Sequence, residues 1–426
     1  MPTLAAALAA ALLAAPDGTP PPPPALALAD ALRELDSQNL TLAQARARAD
    51  EARAVVRQAA SALIPTLSAT GSYTRNSDQA IFGLPGRPQV YIQPLEAWQG
   101  GAGLRVPLLL PSAWFDLGAA SQASEAAQAS AEAARLDIRA AFAGSAWLAV
   151  MGEEIVAASE RAVAAAQEQE QSARRAVSAG TAAPLSVLQA RTVTARRESE
   201  LVQARSELER ARLALGVFLG RSGPVRVTLP AEAAGAGLDP EALVGEALSR
   251  RPELRAREAE VGSASRQLDS ARWRWAPQLS ASGSIFAADV PYPTGQKDGW
   301  RVTVDLAWPL YDGGYRYGKA RQAEAALAGA EAARALERLQ VGEEVQNAVR
   351  DVAVARERVR LGERQQEAAA EAAASARRSF GAGVAGSIEV IDANDRLFQA
   401  EVGLADARAR LGRARVSLDR AVGRSP

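Results

Sequence analysis

The sequence predicts a mainly α-helical chain with a small β part, built from two copies of one unit. Three observations carry this. Long Ala-rich stretches without proline run at helical spacing. Four short stretches instead alternate apolar and polar residues with period two. The order of these segments then repeats once along the 426 residues.

Residues 1–15 are expected to be a signal peptide, with the apolar run 4–15 as its core; that run is too short to span a bilayer as a helix. Residues 16–25, with Pro20 to Pro24, form a stiff proline-rich linker. Repeat 1 covers 26–220. A helix over 26–63 ends at Pro65, and strands follow at about 66–74 and 98–108, separated by a loop over 75–96 rich in Pro, Gly and Gln. A long helix, 113–178, leads to a tip at about 179–185 marked by Gly180 and Pro184, and a shorter helix, 185–219, returns. Residues 221–238 are a Gly/Pro-broken connector. Repeat 2, 239–426, opens on Asp239-Pro240-Glu241, an acidic cap before a proline at the first helical position. Its strands fall at about 278–287 and 300–310, its long helix at 318–379, its tip at about 380–388 and its returning helix at 388–421.

The repeat is readable residue by residue. Leu254–Gly283 mirrors Leu42–Gly71 without a gap, and Pro277-Gln-Leu-Ser-Ala-Ser-Gly-Ser answers Pro65-Thr-Leu-Ser-Ala-Thr-Gly-Ser. Ala382-Gly383 answers Ala179-Gly180. The returning helices share heptad seams: Leu201, Ala204, Leu208, Ala211, Leu215 and Phe218 in one, and Leu397, Ala400, Leu404, Ala407, Leu411, Ala414 and Leu418 in the other. Alternating Leu and Ala allows close side-by-side packing. The long helices are roughly 60 residues, about 90 Å at 1.5 Å per residue. Helices of that length form a rod or line something long.

In Trp300–Trp308, the positions Trp300, Val302, Val304, Leu306 and Trp308 alternate with Arg301, Thr303, Asp305 and Ala307. Tryptophan caps both ends of an apolar face about 26 Å long at 3.3 Å per residue. That approximates the apolar band and aromatic girdles of an outer-membrane barrel, with Trp98 on the matching face of the first repeat. An amphipathic sheet on a soluble core shares the same pattern. Four strands cannot enclose a pore, so a barrel requires several copies of the chain.

Composition narrows the function. Lys+Arg and Asp+Glu are 49 each, so no net field selects nucleic acid. With no Cys and no His, thiolate sites, disulfides and the usual general base are all missing. Gly381-Ala-Gly-Val-Ala-Gly386 spells a dinucleotide fingerprint, yet it follows a helix instead of a strand. Glu153-Glu154 and Glu343-Glu344 are adjacent on helices, do not share a face, and are most simply solvated charge. No catalytic residue, cofactor or metal is expected.

The second tip, Phe380 to Asp392, is the candidate functional stretch. Glu389 and Asp392 lie three apart at the start of the returning helix, where they share a face and complement the helix dipole. The first repeat has Ser186 and Gln189 at the equivalent places, so the acid pair belongs to one repeat only.

Taken together, the doubled unit, the Pro-Gln-Leu-Ser-Ala-Ser-Gly strand start, Trp-Pro-Leu-Tyr-Asp-Gly-Gly at 308–314, and Ala382-Gly383 followed by Glu389-Val-Ile-Asp-Ala393 resemble the TolC-like outer-membrane efflux proteins. The likeness spans about 26–423. It implies a homotrimer in outer-membrane lipid, with four strands per chain in a 12-stranded barrel and the helices in a periplasmic tunnel. It also implies an exit duct for a multicomponent efflux pump or type I secretion system, working with a periplasmic adaptor and an inner-membrane transporter. By position, Glu389 and Asp392 would ring the periplasmic aperture, Gly180 and Gly383 would mark adaptor grooves, and Trp98, Trp300 and Trp308 would form the girdles. The sequence departs from the family where an Arg can help hold the gate: five residues after the tip aromatic stands Ala385, and that aromatic is Phe380, without a hydroxyl. Competing readings are a periplasmic coiled-coil adaptor or scaffold, and, last, a carboxylate-only hydrolase.

Overall fold

The computed structural model describes residues 25–83, 90–230, 239–292 and 295–426. The expected signal peptide and the linker as far as Pro24 lie outside the described residues. Eight helices and eight strands are present among them. In chain order they are β1 (Ala25–Ala27), α1 (Leu28–Gln38), α2 (Leu40–Ser61), β2 (Thr66–Arg75), β3 (Ala80–Phe82), β4 (Val90–Gln93), β5 (Glu96–Leu109), α3 (Pro111–Ser178) and α4 (Leu185–Phe218). The second half continues with β6 (Arg226–Thr228), α5 (Pro240–Arg250), α6 (Pro252–Trp273), β7 (Gln278–Ala288), β8 (Asp298–Ala307), α7 (Tyr315–Gly381) and α8 (Ser387–Val422). The chain divides into two compact units.

Unit 1 comprises Met1–Leu40, Leu136–Leu243 and Val345–Pro426. Its buried apolar cluster joins Leu32 and Leu35 of α1, Phe142 and Ala146 of α3, Leu215 of α4, and Val225 and Val227 around β6. The heptad seams are inside: Ala204, Leu208 and Leu215 are buried, as are Ala400, Leu404, Ala407, Leu411 and Leu418. Backbones approach closely where glycine permits. A Cβ on Gly412 would lie 2.1 Å from the Trp147 indole, and one on Gly152 3.2 Å from Leu208 Cδ1. In this unit β1 pairs in parallel with β6, Leu26 opposite Val227.

Four local features depart from the sequence expectation. The helix expected over 26–63 is two helices, because Asn39 leaves the helical conformation and its side-chain amide donates to the Phe218 carbonyl at 2.8 Å. The connector contains strand β6, and the loop 75–96 contains the β3–β4 hairpin. Glu153 is not solvated charge: it accepts from Arg212 at 2.9 Å and from Arg226 at 2.9 and 3.0 Å. Burial alone would raise its carboxyl, but the bonds from Arg226 and Arg212 outweigh that and hold it below the usual range.

Unit 2 comprises Thr41–Arg135 and Val244–Glu344. It holds a four-stranded antiparallel sheet in the order β2-β5-β7-β8. Cross-strand register puts Tyr73 opposite Trp98, Ala102 opposite Ile285, and Ile285 opposite Trp300. One face therefore carries Leu67, Tyr73, Trp98, Leu104, Ile285, Trp300, Val302, Val304 and Leu306, all exposed. The other carries Ser68, Thr70, Ser72, Gln99, Arg105, Ser282, Ser284, Arg301, Thr303 and Asp305. On that face Phe286 lies across Gly299, where a Cβ would come within 2.8 Å of its ring.

Candidate functional site

The two tips are built alike. Gly180 has φ +76° and Gly383 φ +75°, conformations that a Cβ disfavours. At the first tip Gly180 N–H donates to Val177 O at 3.0 Å and Thr181 N–H to Ala176 O at 2.9 Å. At the second, Gly383 N–H donates to Phe380 O and Val384 N–H to Ser379 O, both at 3.0 Å. Each pair is a Schellman motif, which satisfies helix-end carbonyls and requires the left-handed glycine.

Behind the second tip, each acid has a partner within its own chain. Glu389 accepts the Gly386 N–H at 3.1 Å, covering an orphan donor at the start of α8. Asp392 pairs with Arg396 at 2.8 Å, one turn on, with both side chains more than half exposed. Gln169 of α3, itself buried, donates to Ser387 Oγ at 3.0 Å. Among the described residues no three acidic groups of one chain converge on a metal position. Both acids are exposed on the first turns of α8.

One further cluster was not anticipated from the sequence. Arg197 of α4 is buried, bonds Asp395 of α8, donates to Glu200 at 2.6 Å, and lies 4.4 Å over the Phe398 ring. Arg196 reaches the other oxygen of Asp395 at 2.5 Å. Arg197, Ala166, Ala190, Val193 and Phe398 line an open cavity of about 180 Å³. Two adjacent arginines on one returning helix thus grip one aspartate on the other, one turn beyond the acid pair. The spacing of Asp395 from Asp392 was visible; its partner on α4 was not.

In unit 2, Trp98 and Trp300 stand at the loop end of the sheet with Tyr73, whose ring centroid is 4.8 Å from that of Trp98. Trp308 follows β8 instead of belonging to it, because the strand ends at Ala307. Its indole N–H donates to Trp275 O at 3.1 Å at the helix end. All three tryptophans are exposed, Trp300 at 76%.

A two-repeat, mostly helical chain with one short amphipathic sheet and two glycine-capped hairpins defines the class of TolC-like channel subunits. The family model for outer membrane efflux proteins matches residues 31–221 and 243–424, once per repeat, and the chain belongs to that family. The outer-membrane channel OprN is 25% identical, with a TM-score of 0.78 over 93% of this chain and 89% of that one. The fold also matches VceC from Vibrio cholerae, at 20% identity and TM-score 0.78 over 93% and 96%. The open state of the Neisseria gonorrhoeae MtrE channel gives 20% and 0.78 over 93% and 89%. No curated protein sequence matches significantly. The chain is an outer-membrane exit duct of an efflux system, and the adaptor and scaffold readings are not favoured.

Proposed function

We propose that three copies of the chain form a passive duct, gated at its periplasmic tips and performing no chemistry. The single observation that carries this is the sheet of unit 2, which exposes an apolar face and ends in β2 and β8, each paired on one side only among the described residues. Exposed edges invite pairing, and closing the sheet into a barrel removes them. With three chains, β8 of one meets β2 of the next and twelve strands close, apolar face to lipid and polar face to the lumen. Trp98 and Trp300 then lie in the outer girdle and Trp308 in the inner one.

Glu389 and Asp392 are the gate. Three copies bring six carboxylates to one constriction, which favours cations. Arg396 offsets part of that charge, and Glu389 also fixes the start of α8. Gly180 and Gly383 border the grooves where a periplasmic adaptor docks and couples the duct to an inner-membrane transporter. The boundaries of repeat 1 and repeat 2 follow the two tip-to-tip copies, with the leader removed on export.

Single-channel conductance in a planar bilayer tests the gate, comparing the chain with Glu389→Ala, Asp392→Ala. A small cation-preferring conductance that loses its preference in the double variant is expected. Unchanged preference would keep the duct and remove these residues from the gate, and no conductance from a folded trimer in either protein would count against an ion-conducting duct.

A further inference from the structure

At the helix end of the sheet, α6 closes on Arg272-Trp273-Arg274-Trp275, with both tryptophans exposed. Trp308 bonds the Trp275 carbonyl, which places this segment beside the apolar face. Arg316 of α7 lies 4.2 Å over the Trp275 ring and donates to Arg274 O at 3.4 Å. Two more cation–aromatic pairs follow within α7. Lys319 Nζ is 5.8 Å from the Tyr315 ring, and Arg321 is 5.6 Å from that of Tyr317. Arg316 and Arg321 have carboxylate partners in Asp312 and Glu324. Among the described residues Arg272, Arg274 and Lys319 have none.

The internal repeat supplies a control. The gap-free match of Leu254–Gly283 to Leu42–Gly71 puts Ala60-Ser61-Ala62-Leu63 where the second repeat has Arg-Trp-Arg-Trp. The start of α3 likewise carries no Lys or Arg before Arg135, whereas α7 carries three by Arg321. The first repeat thus builds the same unit with no counterpart of Arg272 or Arg274, and Arg316 alone of this set is buried. Their chemistry is interfacial: tryptophan and tyrosine lodge at headgroup depth, and basic side chains extend to phosphate.

We propose that this collar binds the headgroup of an anionic phospholipid in the leaflet meeting the helix end of the barrel, at one discrete site per chain through Arg272, Arg274 and Lys319. The proposal rests on the outer-membrane orientation given above. Charge complementarity selects the occupant: uncompensated cations stand beside exposed aromatics, with apolar surface adjoining for the acyl chains.

The test uses the full-length trimer in detergent, titrated with phosphatidylglycerol or phosphatidylcholine, with bound lipid counted by native mass spectrometry. At roughly fivefold per cation near an anionic surface, the double variant Arg272→Ala, Arg274→Ala is expected to bind phosphatidylglycerol about thirtyfold more weakly. Phosphatidylcholine binding should not change, nor should either lipid with Arg301→Gln on the polar face. Lys319→Gln gives a smaller loss of the same kind, and serves if the double variant does not assemble. Equal phosphatidylglycerol binding in the variants overturns the proposal, as does an equal loss of both lipids. Displacement of phosphatidylglycerol by millimolar inorganic phosphate would make the site a simple anion site and overturn the lipid assignment. Conductance of the same variants reads the duct separately: a conducting trimer without lipid preference sinks only this inference.

Discussion

Replacing Arg197 with Met should loosen the tip. Its side chain is only 6% exposed, and it joins α4 to α8 through Asp395 and Phe398. Removing one partner of a buried pair costs about 3–5 kcal/mol when the other is stranded. Here Asp395 is 24% exposed and keeps Arg196, so the range for a charge-assisted bond, about 1.5–3 kcal/mol, is the better figure. Arg196→Met is the internal comparison: that side chain is 50% exposed and shares the same aspartate, so its loss should cost less than about 1 kcal/mol. If opening separates α4 from α8, the Arg197 variant shifts the closed–open balance by up to about a hundredfold, at 1.4 kcal/mol per factor of ten. Thermal unfolding of the trimer and single-channel open probability read the two consequences. Lower thermal stability with unchanged open probability would confine Arg197 to packing. Wild-type behaviour in both, or equal effects from the two arginines, would refute the reasoning.

Four further outcomes are expected. Glu153→Gln should cost about 1–2 kcal/mol at neutral pH. Because the folded carboxyl titrates below its ordinary 4.5, its contribution is present above that value and is lost as pH falls through the lower folded one; the variant's acid-unfolding curve should therefore be flatter below about pH 4.5. Gly412→Ala drives a Cβ into Trp147 and should cost about 1–3 kcal/mol, whereas Gly403→Ala, with nothing within 4 Å, should gain up to about 1 kcal/mol from helix propensity; chemical denaturation of both proteins compares them. Val304→Arg, on the apolar face, should destabilise barrel insertion by about 2–4 kcal/mol, while Thr303→Arg on the polar face should assemble normally in membrane fractions. At Gly383, Asn tolerates the left-handed backbone, so Gly383→Asn should retain the trimer and most export; Gly383→Trp should retain the trimer but lose export, and normal export would count against docking there.

The fold was legible where the signal repeats. Period-two strands, proline-free helices and two copies of one order made each element testable against its twin, and left-handed glycines were readable at both tips. What escaped was short or distant in sequence. Ala25–Ala27 and Arg226–Thr228 are too brief to show a period, and each exists as a strand only because the other is present. The break at Asn39 depends on a carbonyl offered by Phe218. Glu153 looked solvated because its partners come from α4 and β6, elements that no local pattern places beside it. Glu389 and Asp392 were readable as a pair on one face. Their local partners, Gly386 and Arg396, sit at helix spacing and were available to the same argument. The grip of Arg197 on Asp395 was not, since nothing in α4 alone selects which acid it meets.

The composition of unit 1 also fixes an order of events. It is assembled from the beginning, the middle and the end of the chain, and Arg420 of α8 closes it against Asp137 of α3 at 2.6 Å. A chain crossing a membrane N-terminus first delivers β1 and α1 early, yet their partners come only with α4, at the end of the first repeat, and with β6 just after it. The last helix completes the packing only when synthesis and translocation are finished. The core of α1, α3, α4 and β6 is complete before then, but Asp137 and Trp147 of α3 wait for α8, so truncation within α8 should leave that side of α3 uncovered while the first core persists.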